Sequence, residues 1–193
     1  MRFFQPLYEH CSDEELMKLI AEHDERGFDE LYRRYADRML HYFWRMFYHD
    51  EEKAQDFVQD IFVKIVEKPH LFHPEKRFST WIYSVASNMV KNEYRSREVR
   101  KIITTMDDMS RIPVAETLDE TALDRQKFIA RLEDELENLS ENHREVFVLR
   151  YQEELSIKEI GEVMGCSEGT IKSRIFYCLQ KLANGLKTFD PGK

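Results

Sequence analysis

Between residues 156 and 173 the chain carries punctuation that few folds besides a pair of short, tightly joined helices can accommodate. Ser156 stands three places before Glu159, the spacing of a capping box in which two side chains satisfy orphan amides at a helix start. Ile157, Ile160, Val163 and Met164 then recur at helical spacing. Gly165-Cys166-Ser167 breaks the pattern. Gly165 is suited to the left-handed conformation that ends helices, and Ser167 is placed to cap the next one. The pattern predicts a helix-turn-helix within the stretch from Leu139 to Leu182.

At about 100° per residue, the second of these helices gathers Ile171, Ile175, Cys178, Leu179 and Leu182 on one side. Its opposite side carries Gly169, Ser173, Phe176, Tyr177 and Gln180, flanked by Thr170, Lys172 and Arg174. The first stripe predicts attachment to neighbouring helices. The second offers hydrogen-bonding, cationic and aromatic groups suited to base edges, thymine methyls and phosphates in a major groove. An ordinary amphipathic helix with a solvated face is the alternative for any one helix. Two capped helices with a glycine in the turn between them favour the DNA reader.

Only 6 Gly and 5 Pro occur in 193 residues, and long runs lack both, which predicts an all-α protein. With 42% hydrophobic residues, including 13 Phe and 9 Tyr, the chain is able to bury a core. Its three cysteines, Cys11, Cys166 and Cys178, lack zinc-finger spacing and are expected to be reduced structural thiols. No run approaches the roughly 20 apolar residues of a membrane span, so a soluble, cytoplasmic protein without membrane insertion is expected.

The periodicity divides the chain into two helical domains. Residues 13–48 predict two helices, the first capped by Ser12 with Leu16, Leu19 and Ile20 as its apolar stripe. A third is expected from Glu51 to Lys68, and a fourth from about Ser79, its expected cap, to Arg100. The helical period is lost between Ile102 and Thr121, and Met106–Asp124 holds six acids and a single Arg. The expected division is therefore residues 1–101, an acidic flexible linker over 102–122, and residues 123–193 as a winged-helix-like four-helix domain containing the helix-turn-helix.

Two outward faces are expected in the first domain. On the third helix Ala54, Val58, Ile61 and Ile65 point inward, opposite Asp56, Gln59, Asp60 and Val63, with Phe62 on the flank. Apolar area beside carboxylates suits docking on a basic partner, although a plain wetted face is the alternative. On the fourth, Ser84, Ser87, Asn88, Lys91 and Arg95 are expected outward, with Trp81, Asn92 and Tyr94 at the edges. Rings that stack, amides that read edges and cations that hold a backbone suit unpaired bases, and Trp81 also has a reading as a core residue. His70 and His73 lack a third ligand nearby, so no metal is expected. Nor is a cofactor or enzymatic activity expected, for want of a glycine-rich phosphate loop, a nucleophile–base motif or a metal cluster.

The net charge of −8 opposes unaided binding to DNA, yet Lys91–Lys101 holds five basic and two acidic residues. A locally basic reader in acidic surroundings should need a partner to present it.

These residues together resemble a bacterial RNA polymerase sigma factor of the extracytoplasmic-function type, from about residue 13 to residue 185. AQDFVQDIFVKI (Ala54–Ile65) looks like the family's core-polymerase-binding helix. FSTWIYSVASNMVKNEYRSREVRK (Phe78–Lys101) is similar to the segment that opens and reads the −10 element. Leu139–Leu182, including Arg144, Leu149, Glu159-Ile160 and Gly169–Arg174, resembles the −35-reading domain. The resemblance implies that Asp56, Gln59, Asp60 and Phe62 dock on the beta-prime clamp of core RNA polymerase. It implies that Trp81, Asn88, Lys91, Asn92 and Arg95 stabilise the opened −10 strand. Glu168, Thr170, Lys172, Ser173, Arg174 and Tyr177 would meet the −35 duplex. The linker would thread toward the RNA exit path, the beta-prime clamp and beta subunits of core RNA polymerase would be partners, and an anti-sigma factor would restrain the protein. The chain departs from the family pattern at Asn92, where many members carry Asp, and at Tyr177 and Leu179, where many carry arginine. Two other readings stay open on the residues alone: a self-sufficient DNA-binding regulator with a helical sensory domain, and a scaffold that sequesters a partner through the Asp56–Phe62 face.

Overall fold

The computed structural model describes residues 8–103 and 120–187, with side chains over 8–99 and 126–187. The acidic linker expected over 102–122 lies, from 104 to 119, outside the described residues. All regular elements among the described residues are helical. They are α1 (Asp13–Ala21), α2 (Glu25–Met46), α3 (Glu51–Glu67), α4 (Phe78–Ile103), α5 (Glu120–Glu137), α6 (Glu141–Phe147), α7 (Ile157–Met164) and α8 (Glu168–Gly185). Short 3₁₀ turns occupy Tyr8–His10 and Pro69–Leu71, and a π-helical turn, Val148–Gln152, follows α6.

Most helix starts follow from local side chains. Ser12 and Glu15 form a reciprocal capping box on α1, Asp24 accepts from the Arg26 and Gly27 amides on α2, and Asp50 caps α3 through Lys53. The expected cap of α4 by Ser79 is corrected. The helix begins one residue earlier, at Phe78, whose amide donates to Glu14 Oε1 of α1 at 2.9 Å. A tertiary carboxylate thus does what a neighbouring hydroxyl was expected to do.

The helix-turn-helix forms as its punctuation predicts. Ser156 and Glu159 make the capping box, Gly165 ends α7 at φ 67°, and Ser167 accepts from the Thr170 amide. Gly161 serves a different purpose, because a Cβ there would lie 2.8 Å from the Cys166 carbonyl oxygen. The turn is folded back onto α7 at a separation that only a hydrogen permits. Gly161→Ala should therefore destabilise the chain by about 1–3 kcal/mol, as overpacking does. Urea denaturation followed by circular dichroism checks this, and a loss near zero would show that the turn has slack.

A continuous apolar core runs through α1–α4, whose fully buried members include Leu16, Leu31, Met39, Phe43, Ile61, Phe78 and Ile82. It continues without a break into Val146, Leu149, Ile160, Val163 and Ile171 of the C-terminal half. A smaller cluster of Leu136, Leu139, Cys178 and Leu182 joins α5 to α8. The two halves are thus packed together, with α7 lying along α4 and α6 against α2.

Candidate nucleic-acid and polymerase interfaces

The first surface lies on α3. Asp56, Gln59 and Asp60 are exposed, and Val63 and Val66 stand beside them about half exposed. Phe62 differs from expectation. It is only 3% exposed, since Phe28 and Tyr32 of α2 reach across to it with ring centroids 6.1 and 4.7 Å away. Phe62 thus sets the floor of this face and offers little contact area of its own. Tyr32, 45% exposed, takes its place as the aromatic at the surface. A groove of about 240 Å³ runs between α2 and α3, lined by Tyr32, Ala36, Leu40, Val58 and Gln59 among others.

The second surface lies on α4. Asn88, Asn92 and Arg95 are exposed, and Lys91 is half-buried. Trp81 is half-buried, braced by edge contacts at 5.4 Å to Phe72 and a tilted contact at 5.6 Å to Phe78. Two expected outward residues are corrected. Ser87 is fully buried with no hydrogen-bond partner for its hydroxyl, as is the Thr80 hydroxyl. On a helical wheel Thr80, Ser84 and Ser87 share the side of α4 opposite Phe78, Ile82 and Met89. Tyr94 is also buried, and its hydroxyl donates to the Met46 carbonyl.

The third surface is α8. Glu168, Thr170, Lys172, Ser173 and Tyr177 are exposed, and Arg174 is half-buried with Nη1 4.0 Å from Met164 Sδ. Ile171, Cys178 and Leu182 are buried as expected, but Leu179 is 41% exposed, at the edge of the stripe. Ser173 Oγ donates back to the Gly169 carbonyl at 3.0 Å, and Thr170 Oγ1 lies 2.9 Å from Ser167 Oγ. The Glu168–Lys172 pair, 3.9 Å apart and more than half exposed, contributes little to stability and leaves Lys172 available to a ligand. Phe176, not selected from the sequence although the wheel placed it outward, is 61% exposed beside Tyr177 at 5.5 Å between ring centroids. Burial pushes the Cys178 thiol up to about 11, so it is a structural group.

Among the described residues, no group of three or more His, Cys, Asp or Glu side chains is placed to hold a metal ion. No helix among them is long and apolar enough to cross a membrane.

Three polar surfaces stand on an all-helical scaffold, one of them the outward face of a helix-turn-helix, the motif of a DNA-binding protein. Comparison with known proteins gives the same class. The Sigma-70 region 2 family model matches residues 31–100, and the Sigma-70, region 4 model matches residues 136–184. The chain is 31% identical over 182 residues to the RNA polymerase sigma-H factor of Pseudomonas aeruginosa, covering 91% of this chain and 94% of that one. It is 28% identical to the ECF RNA polymerase sigma-E factor of Haemophilus influenzae, covering 93% and 97% respectively. Among solved structures, CnrH in complex with the cytosolic domain of CnrY superposes with a TM-score of 0.68 at 25% identity, over 92% of this chain and 99% of that one. RpoE in complex with the anti-sigma factor NepR from Bartonella quintana shares the fold, with a TM-score of 0.65 at 22% identity over 84% of this chain and 98% of that one.

The chain belongs to the sigma-70 family, as a sigma factor of the ECF type. Its function is promoter-specific initiation of transcription.

Proposed function

We propose that the three surfaces divide that function among them. Asp56, Gln59 and Asp60, supported from beneath by Phe62, dock on the beta-prime clamp of core RNA polymerase. Trp81, Asn88, Lys91, Asn92 and Arg95 hold the opened −10 strand. Glu168, Thr170, Lys172, Ser173, Arg174 and Tyr177 read the −35 duplex. Residues 1–101 and 123–193 act as separate readers, with the linker over 102–122 threading toward the RNA exit path. The protein acts in the cytoplasm and supplies no catalytic group, bond-making being left to the polymerase. An anti-sigma factor is proposed as a further partner, on the strength of two structural relatives solved as complexes, CnrH with the cytosolic domain of CnrY and RpoE with the anti-sigma factor NepR.

The observation that carries this reading is the outward face of α8, where hydroxyl, cationic and aromatic groups stand exposed on a helix held rigidly by Ile171, Cys178 and Leu182. A net charge of −8 explains why the chain alone should bind duplex DNA poorly. Run-off transcription with purified core polymerase and a genomic promoter library tests the whole. Absence of any discrete start site would remove the reading, and tight specific duplex binding without polymerase would favour a self-sufficient regulator.

Two substitutions test the parts. Gln59→Ala with Asp60→Ala should weaken holoenzyme assembly several-fold, mainly by slowing association, because exposed charges steer docking more than they hold it. Unchanged assembly in a pull-down titration would move the docking face elsewhere. Arg174→Ala should cost about 1–3 kcal/mol at a −35 element if its guanidinium takes a guanine in bidentate fashion. An equal loss on every sequence would restrict Arg174 to phosphate.

A further inference from the structure

Ser12, Ser140, Ser156 and Ser167 all stand at helix starts, and Ser140 is the exception among them. The other three each accept from the amide three residues further on. Ser140, before α6, makes no capping bond. Its hydroxyl lies 2.7 Å from His143 Nδ1 instead. A local rule is given up here to hold an imidazole, and departures of this kind gather at functional positions. With the hydroxyl donating to Nδ1, the proton of the neutral ring sits on Nε2, and in the charged ring both nitrogens carry one. Nε2 is then a donor in either state, and it has no hydrogen-bond partner among the described residues.

Two cations share this neighbourhood. α6 packs along α8, and Lys181 Nζ donates to the carbonyl of Asn138, two residues before Ser140. Arg174 lies on the same side of α8, seven residues and about 10 Å nearer the helix start. Neither has an ion-pair partner among the described residues, whereas Lys172 on the same helix meets Glu168. The charged groups that act on His143 are these two cations of α8. Among the described residues, α2, α5, the π-helical turn and α6 itself present no carboxylate to it. In a chain with a net charge of −8, such a cluster is a local reversal of sign. His143 and Arg174 are half-buried and Lys181 is exposed, so the cluster is open at its outer edge. Positive charge with N–H donors fits an anion that offers several oxygens.

We propose that His143 and Lys181, beside Arg174, form a pH-dependent site for the phosphate backbone of duplex DNA. The site rests on the −35 assignment made above, since Arg174 belongs to that face of α8 and its neighbours would meet the flanking backbone. Phosphate contacts of this kind set the register of a recognition helix without reading sequence. Burial, with the charges of Arg174 and Lys181 added to it, holds the His143 ring below its ordinary range, so it is neutral in the free chain at neutral pH. A phosphate set between the ring and the cations reverses that balance and favours the imidazolium. Binding therefore takes up a proton, and affinity rises as the pH falls.

Fluorescence anisotropy tests this, with holoenzyme assembled from the full chain and a promoter duplex recovered by run-off transcription. Wild type should bind about three- to tenfold more tightly at pH 6 than at pH 8, over and above any change seen with His143→Gln. The slope of log affinity against log salt should steepen by about one between those pH values in wild type and stay constant in His143→Gln. Lys181→Ala should make the slope shallower by about one at both, with equal loss on every −35 sequence. An uncharged methylphosphonate at the contacted backbone position should erase the difference between wild type and His143→Gln. If His143→Gln loses helix content, Lys181→Ala, at an exposed position, carries the test through the salt slope.

A difference that survives neutral substitution at every phosphate, or an unchanged slope in Lys181→Ala, overturns the site. Binding that depends on the −35 sequence but has the same pH profile in wild type and His143→Gln removes this site alone. Binding that ignores the −35 sequence in both removes the −35 assignment, and this site with it.

Discussion

Arg144→Ala should lower the stability of the chain by about 3–5 kcal/mol, the largest single-residue loss expected outside the apolar core. Arg144 is only 2% exposed and heads the large side chains that are fully buried. Its Nε donates to the Leu136 carbonyl at 3.2 Å, and its Nη2 donates to Glu137 and Leu139 carbonyls at 3.0 and 3.3 Å. Leu136 and Glu137 end α5, whose last carbonyls have no partner within the helix and carry its partial negative charge. A planar fork of donors reaching across from α6 thus closes the end of α5 and neutralises it. The same guanidinium lies 3.9 Å from the centroid of the Tyr48 ring in the N-terminal half, so one residue joins α5, α6 and the end of α2. Truncation to Ala removes every one of these contacts and leaves a void.

Arg144→Lys separates the contributions. It keeps the positive charge but replaces the fork with a point donor, and it should recover less than half of the loss. Urea denaturation followed by tryptophan fluorescence and circular dichroism measures both. A loss under about 1 kcal/mol for Arg144→Ala would mean that water replaces the guanidinium at the end of α5 without penalty.

Arg144 also shows where the sequence speaks and where it is silent. Features settled within one helical turn were legible. Ser12, Ser156, Gly165 and Ser167 all occupy the cap positions that spacing predicts, because a cap is a contact between residues two or three apart. The buried stripes of α3 and α8 were legible for a similar reason, since periodicity records which side faces a neighbour. Leu179 fails at the margin, where a wheel gives an angle but not the width of the neighbour that covers it.

What was not legible depended on partners far along the chain. Phe62 sits on the flank of its wheel, and its burial is decided by Phe28 and Tyr32 on another helix. The start of α4 is set by Glu14, 64 residues away from Phe78. Ser87 reads as outward on α4 taken alone and is buried in the folded chain, where other helices, α7 among them, pack on α4. Arg38, Tyr42, Arg45 and His49 recur at helical spacing, but the carboxylates they meet, Glu153, Glu145, Glu133 and Glu137, lie in the last third of the sequence, and no local rule connects them. For the candidate surfaces, therefore, the sequence indicated most of the exposed groups, and the folded arrangement was needed to show which are covered.

Replacing Asn88, Lys91 and Arg95 together by alanine should abolish strand opening at the −10 element while leaving assembly with core polymerase intact. These three share one side of α4, separate from the α3 face proposed for the polymerase. Charge-assisted hydrogen bonds contribute about 1.5–3 kcal/mol each where they are made. Losing an amide and two cations should therefore reduce open-complex formation by roughly a hundred-fold or more, at about 1.4 kcal/mol for each factor of ten. Trp81→Ala should act on the same step, by about 1–3 kcal/mol if a base stacks on the indole. Because Phe72 and Phe78 already brace one side of that ring, Trp81→Phe should retain the packing and return part of the activity. Permanganate footprinting of unpaired thymines reads the opening, and co-purification with core polymerase reads the assembly. Normal reactivity in the triple variant would take the −10 strand away from α4. Loss of assembly along with opening would mean that this face meets the polymerase itself, and the division of labour between α3 and α4 would have to be redrawn.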